Sequence, residues 1–304
     1  MAFAQGSRSG LSYIEEVTYG TTPAGNFTTL PFTTHSLNLS KDRVQGQDIL
    51  SDRIPRIDRH GNRQTGGDIV ADLRKGDFDA FIESVMFSSF ASDDTIGVGT
   101  TLKSFSIEDA LNDISQFRMF TGMAASTMAV SIAPNQMVTT TFGFVGSNMT
   151  TSGTGKTLTA SSSNQPFDAY SGDLSIGNVS SATTSGIVTS IEFTINNSLA
   201  PTFVVGSDFT PQLEYGRAEV TGTITTYFED LAFVNRFINE TETEIEVSVD
   251  DPTGVNAYTF SFPKCKINSA DASLANPQSR LVTSEFVALY NTAEASNLVI
   301  TRTS

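Results

Sequence analysis

Apolar and polar residues alternate along most of this chain, with Gly, Asn and Pro breaking the runs. Stretches 129–146, 187–197 and 219–228 are rich in Val, Ile, Thr, Phe and Tyr, and their period of two predicts half-buried strands. Only two stretches carry a helical period. In 76–90, Phe78, Phe81, Ile82, Val85 and Met86 fall on one face, and Asp77 stands where a cap belongs. In 229–240, Leu231, Val234, Phe237 and Ile238 form the stripe, with acids in the first turn. Both stripes are expected to pack against a sheet. Residues 146–165 are nearly all Gly, Ser, Thr and Asn and read as an exposed loop or linker.

The order of elements repeats. Residues 67–82 overlay 222–237, matching Gly67 to Gly222, Ile69 to Ile224, Leu73 to Phe228, Phe78 to Phe233 and Ile82 to Phe237. Upstream, 36–40 sit over 190–194. Downstream, 130–144 sit over 272–286 with small gaps, matching Phe142 to Phe286. Each half reads as strand pair, strand, helix, strand pair. This predicts a duplicated, mainly β chain with one flanking helix per copy. Copy 1 spans 1–150 and copy 2 spans 166–304, with the 146–165 stretch between them.

Charge distinguishes the copies. The chain has 304 residues and a net charge of −15; residues 1–150 contribute −5 and 151–304 contribute −10. A dense mixed-charge excursion, 41–63, interrupts copy 1. It carries Lys41, Asp42, Arg43, Asp48, Asp52, Arg53, Arg56, Asp58, Arg59 and Arg63, a pattern suited to a polar contact between subunits. The matching stretch of copy 2, 195–217, is far more apolar, so equivalent positions meet different neighbours.

The chemistry this composition excludes is broad. A strongly acidic chain lacks the basic face that grips nucleic acid. The single cysteine, Cys265, rules out an intramolecular disulfide and a cysteine-based zinc site, and it reads as a small, partly buried hydrophobe. The two histidines, His35 and His60, stand in no nucleophile context, and His60 before Gly61-Asn62 reads as a turn residue. The 153–157 run Gly-Thr-Gly-Lys-Thr mimics the end of a phosphate loop, but Thr150 stands where the first glycine is required. Asn148 and Asn178 match glycosylation triplets by chance, and 250–254 reads as a turn. No catalytic constellation, cofactor site or metal site is expected. No apolar run reaches the roughly 20 residues that span a bilayer, and 1–10 lack an apolar signal core.

Several segments together resemble the major tail tube proteins of long-tailed, siphovirus-like bacteriophages. They are 10–25, 47–53, 67–73 running into 77–86, 122–146, 222–228 and 281–289. The resemblance covers essentially the whole chain and rests on the order of segments rather than on invariant residues. It implies a β-sandwich or barrel with a flanking helix in each copy. Subunits of that family form rings that join sheet to sheet and stack into a hollow tube for the genome. Two tube domains per chain imply three chains per ring in place of six. Partners would be further copies, the tape measure protein, the tail terminator and distal tail proteins, with no membrane contact and genomic DNA passing unbound. The location implied is the virion tail, non-contractile, after synthesis in the bacterial cytoplasm. Lumen acids are expected on the polar face of the long strands, at Asp68, Asp72, Glu192 and Glu285. Contacts between rings are expected from the 41–63 excursion and from segments 1–10 and 297–304. A tail terminator, a baseplate hub or, more remotely, an extracellular adhesin remain alternative readings.

Overall fold

The computed structural model describes residues 3–49, 51–52, 54, 56–184, 188–271 and 279–303. The chain is mainly β. Its first half contains β1 (Ser9–Glu15), β2 (Phe27–Leu30), β3 (Thr34–His35), β4 (Asn38–Gln45), β5 (Asp58–Asp72), α1 (Asp79–Met86), β6 (Thr95–Gly97), β7 (Phe105–Leu111), β8 (Gln116–Ile132), β9 (Thr139–Gly146) and β10 (Asn148–Ser152). The second contains β11 (Leu158–Thr159), β12 (Leu174–Asn178), β13 (Ser181–Thr184), β14 (Val188–Asn196), β15 (Ala200–Pro201), β16 (Leu213–Glu214), β17 (Glu219–Tyr227), α2 (Ala232–Ile238), β18 (Thr243–Asp250), β19 (Ala257–Ile267), β20 (Leu281–Ala288) and β21 (Val299–Thr303).

The two halves pair their strands in the same order. In the first, β4 pairs β5, then β9, β8, β7, β1 and β2 follow. In the second, β14 pairs β17, then β20, β19, β18, β12 and β13 follow. All of these pairings are antiparallel. The halves join where β8 pairs β14, from Ile132 opposite Ile191 to Thr127 opposite Asn196. One sheet therefore runs β4–β5–β9–β8–β14–β17–β20–β19.

Alternation explains what this sheet buries. Ile69, Phe142, Met128, Val130, Ile191, Phe193, Ile195, Ile224 and Phe286 are all buried. Fully burying a side chain of this size contributes roughly 1.5–3 kcal/mol. Strand β8 bends from the eight-stranded sheet into a second layer at an irregularity between Ala125 and Thr127. Its first half pairs β7 and β10. In the first half of the chain, α1 sits between the layers. Phe81 stacks against Tyr13 and Phe105 on one side and Phe142 and Phe144 on the other, at centroid distances of 4.7–5.6 Å. The helix starts two residues later than Asp77. That carboxylate instead accepts the Ser162 N–H at 2.6 Å, and no side chain caps α1. The helix ends at Phe87, a left-handed residue whose N–H returns to Glu83 and Ser84; its buried ring holds the strained backbone in place.

Helix α2 ends in the same way. Glu240 is left-handed, its N–H returns to Phe237, and that of Thr241 returns to Arg236. The packing differs. No residue of α2 is buried, and Leu231, Phe237 and Ile238 are 55%, 43% and 66% exposed. The expected core stripe is thus open along much of its length in a single chain. A helical period reports which residues share a face, not whether the same chain covers it.

Three other expectations change. The 146–165 stretch is built into the fold through β10 on β8, β11 on β2, and the Lys156 N–H on Glu108. The C-terminal segment is β21, which lies between β19 and β6 and so ties the second half to the first. His60 sits within β5 opposite Arg43, not in a turn. Cys265 is fully buried, and that burial pushes its thiol pKa up. The turn at 250–254 forms around Asp251, whose carboxylate accepts from the N–H groups of Thr253 and Val255 and from Asn256.

Candidate functional site

No titratable cleft dominates this molecule, and its distinctive surface is the open face of the eight-stranded sheet. Cross-strand register puts its residues in rows. One row reads Asp72, Thr139, Ser131, Glu192, Thr223, Glu285 across β5, β9, β8, β14, β17 and β20. Four residues along lies Asp68, Gly143, Thr127, Asn196, Glu219. Between them run Val70, Thr141, Ala129, Thr194, Thr221 and Val287. These rows hold five carboxylates, small hydroxyls and aliphatics, and the last of them continues onto β19 with one cation, Lys266 opposite Val287. The four acids expected for a lumen all fall on this one face. Glu219 is a fifth that sequence reasoning missed, although it shares its parity with Thr221 and Thr223. Ser131 donates to Glu192 at 3.0 Å, among the described residues the one side-chain hydrogen bond to an acid of the row.

Two equivalent glycines stand on the opposite, buried side of the sheet, Gly67 in the row of Phe144 and Gly222 in the row of Phe193 and Phe286. A Cβ on Gly222 would stand 2.4 Å from the Phe286 ring and 2.6 Å from the Glu192 carbonyl oxygen. One on Gly67, at φ +136°, would stand 2.6 Å from the Ser36 carbonyl oxygen. Both sites exclude any side chain.

The edges of the sheet differ from its interior. Among the described residues, β4 pairs only β5, leaving its outer edge open. At the other end, β19 ends at Ile267, and Asp271 beyond it forms an isolated bridge with Thr283 of β20; at Lys266 and Ile267 the far side of β19 has no strand partner among the described residues. In the first half the same side of β8 is taken by β14. An unpaired edge is a template for pairing with another chain, and the one on β4 is 8 residues long.

The charged excursion forms the outer part of the β4–β5 hairpin. Lys41, Asp42 and Arg43 lie in β4, and Asp58, Arg59 and Arg63 in β5, while Asp48, Asp52 and Arg56 lie in the connection; Arg53 falls outside the described residues. Much of its charge is answered within the chain. Arg43 bonds Asp58 at 2.9 Å, Arg56 bonds Asp52, and Arg63 bonds Asp208 of the second half.

The counterpart of this hairpin in the second half is the β15–β16 ribbon, and it already has a docking place. Asn197, 2% exposed, donates its side-chain N–H to the Val85 carbonyl at 2.7 Å, and its backbone N–H goes to Ser126. Leu199 and Leu213 bury against Phe87 and Ala124. Tyr215 meets the Phe87 ring edge-on at 5.1 Å. Ser147 donates to the Thr210 carbonyl at 2.7 Å. The ribbon therefore clamps the C-terminal turn of α1 just beyond the β8–β14 pairing.

Among the described residues, no helix is long and apolar enough to cross a membrane. In comparison with known proteins, the model of the family described as phage tail tube protein matches residues 6–288. No curated protein matches the chain.

Proposed function

The chain belongs to the phage tail tube protein family, and from that membership and the sheet edges we propose how it builds a tube. It is a structural component of the virion tail. Each chain supplies two tube units, 1–150 and 166–304, supported by the identical pairing order of the two halves. The observation that carries the reading is the β8–β14 junction. It joins unit to unit inside one chain, and the same two edges stand open at its ends, β19 on one side and β4 on the other. Repeating that junction between chains pairs the β19 edge of one copy with the β4 edge of the next. Three chains of eight strands then close a wall with pseudo-six-fold symmetry.

Strand spacing of about 4.8 Å and a tilt near 40° give such a barrel a backbone diameter of roughly 48 Å. Six chains per ring would double it. The acid-bearing face lines the lumen, where carboxylates repel a duplex weakly and evenly, so that DNA passes without sticking. Rings stack into the tube, and its ends meet the tape measure, terminator and distal tail proteins of a non-contractile tail.

Electron cryo-microscopy of the concentrated, purified protein tests this. Hollow tubes with three chains per layer are the expected outcome. Six chains per layer would overturn the tandem reading, and single rings that never stack would move the protein to a terminator-like role.

A further inference from the structure

The C-terminal turn of α2 is open, and the first half of the chain supplies a template for what seats on it. There, the C-terminal turn of α1 is covered by the β15–β16 ribbon that follows β14. The β4–β5 hairpin is built in the same way. Ala200 opposite Glu214 in the ribbon corresponds to Val44 opposite Arg59 in the hairpin, placing Lys41 where Asn197 stands, Arg43 where Leu199 stands, Asp58 where Leu213 stands and His60 where Tyr215 stands. On the receiving side, Glu240 closes α2 as Phe87 closes α1, with the same pair of returning N–H bonds.

We propose that the β4–β5 hairpin of one chain seats on the C-terminal turn of α2 in the next chain of the same ring, gathering Lys41, Arg43 and His60 around Glu240. The occupant is thus a second copy of this chain, and the inference rests on the ring reading above. Two observations select it. First, the contact continues the β8–β14 junction, since a ribbon that follows a paired edge strand lands on the neighbouring helix end. Second, the charges match. Residues 229–246 carry six carboxylates against Arg236, of which Lys264 and Lys266 answer Glu242 and Glu240 at 2.6 and 3.1 Å. Where the ribbon brings Leu199, Leu213 and Tyr215, the hairpin brings the Arg43–Asp58 ion pair and His60, with Lys41 beside them in the place of Asn197. The excursion is thereby assigned to contacts within the ring, where the family resemblance implied contacts between rings.

The difference between the two junctions has a physical reason. The in-chain clamp forms as the chain folds, burying Leu199 and Leu213, and can be apolar. The between-chain clamp faces water until assembly, and a charged surface keeps the free chain soluble while steering its partner.

Paired cysteines test the contact. Cys265 is fully buried, so His60→Cys with Glu240→Cys gives a clean background. Tubes oxidised and run without reductant are expected to show covalent dimers and trimers and nothing larger, because a closed three-chain ring ends the ladder. A ladder running well beyond six would place the contact between rings and overturn the proposal. No cross-link in tubes seen to have three chains per ring would overturn it while leaving the ring reading intact. A ladder ending at six would keep the contact and discard the three-chain ring. A second variant guards against misfolding. Glu240→Lys is expected to raise the assembly concentration at least about tenfold with an unchanged melting transition. Adding Lys41→Glu and Arg43→Glu is expected to restore assembly. Assembly unaffected by Glu240→Lys would refute the contact.

Discussion

Reversing the acid row is the sharpest test of the lumen. The perturbation is Asp72→Lys, Glu192→Lys and Glu285→Lys together. Glu192 and Glu285 are exposed and Asp72 half-buried, and among the described residues Ser131 is the one side chain that hydrogen-bonds any of these three carboxylates. The fold therefore has little to lose, about 0.5 kcal/mol at each exposed position. Glu192 and Glu285 lie two strands apart with Thr223 between, about 9.6 Å. Lysines there repel by about 0.4 kcal/mol before salt screening. Three chains then place nine ammonium groups on each ring. Inside a wall roughly 48 Å across a duplex lying to one side brings its phosphates within reach of the lysines there, while the rest stand about a Debye length of 8 Å or more away. If three per ring make contact, affinity for duplex falls roughly forty-fold between 50 and 200 mM salt. Binding of a short fluorescent duplex to open-ended tubes measures this directly. Wild-type tubes are expected to bind none, and the lysine variant to bind with a log–log salt slope near −3. Variant tubes that assemble yet ignore the duplex at 50 mM would show that this face is not the lumen.

Other outcomes follow from buried polar groups. Asn197→Ala removes a buried donor from the Val85 carbonyl and is expected to cost about 1–3 kcal/mol; chemical denaturation measures it, and tubes should still form because β8–β14 keeps its ladder. Burial alone would raise the Asp251 pKa, but its hydrogen bonds from Thr253, Asn256 and the backbone bring it down to about 2. A carboxylate depressed below its unfolded value of about 3.9 stabilises the fold fully above that value and loses its effect as the pH falls through about 2. Asp251→Asn should therefore flatten the stability profile between about pH 4 and pH 2, read by thermal melts across that range.

Alternation made much of this fold legible, and its limits are visible in particular residues. Period two placed Asp68 and Asp72 on one face without ambiguity. That Asp72 shares a row with Glu192 and Glu285 depends on register across six strands, which alternation does not set. The overlay of 36–40 on 190–194 shows the same weakness. His35 pairs Ile69 and Ile191 pairs Ile224, so the true correspondence is His35 with Ile191, two residues from the overlay. A slip of two leaves every side chain on its proper face and so goes unnoticed in sequence. The α2 stripe was legible as a stripe, but its exposure was not, because a helical period marks which residues share a face and not whether the same chain covers it. The ribbon residues Asn197, Leu199, Leu213 and Tyr215 carried one signal, the contrast between an apolar and a charged version of the same excursion.

That contrast leads to a prediction about how the tube comes apart. Pairing the units within a chain makes half of the junctions intramolecular, so they form at high effective concentration and can be sealed by Leu199, Leu213 and Tyr215. The remaining junctions combine a strand pairing with a clamp of Lys41, Arg43 and His60 on Glu240, and ion pairs at exposed sites weaken with salt. Raising the salt from 0.1 to 1 M shortens the Debye length from about 10 to about 3 Å, which removes most of the attraction between clamps while strengthening nothing in the strand ladder. Tubes are expected to dissociate into folded single chains at high salt, with the melting temperature of the chain unchanged. Light scattering follows the tubes, and circular dichroism follows the fold. A chain that stays assembled equally well in 1 M sodium chloride would mean that the between-chain clamp is apolar like the one inside, and that the charges of 41–63 do no assembly work.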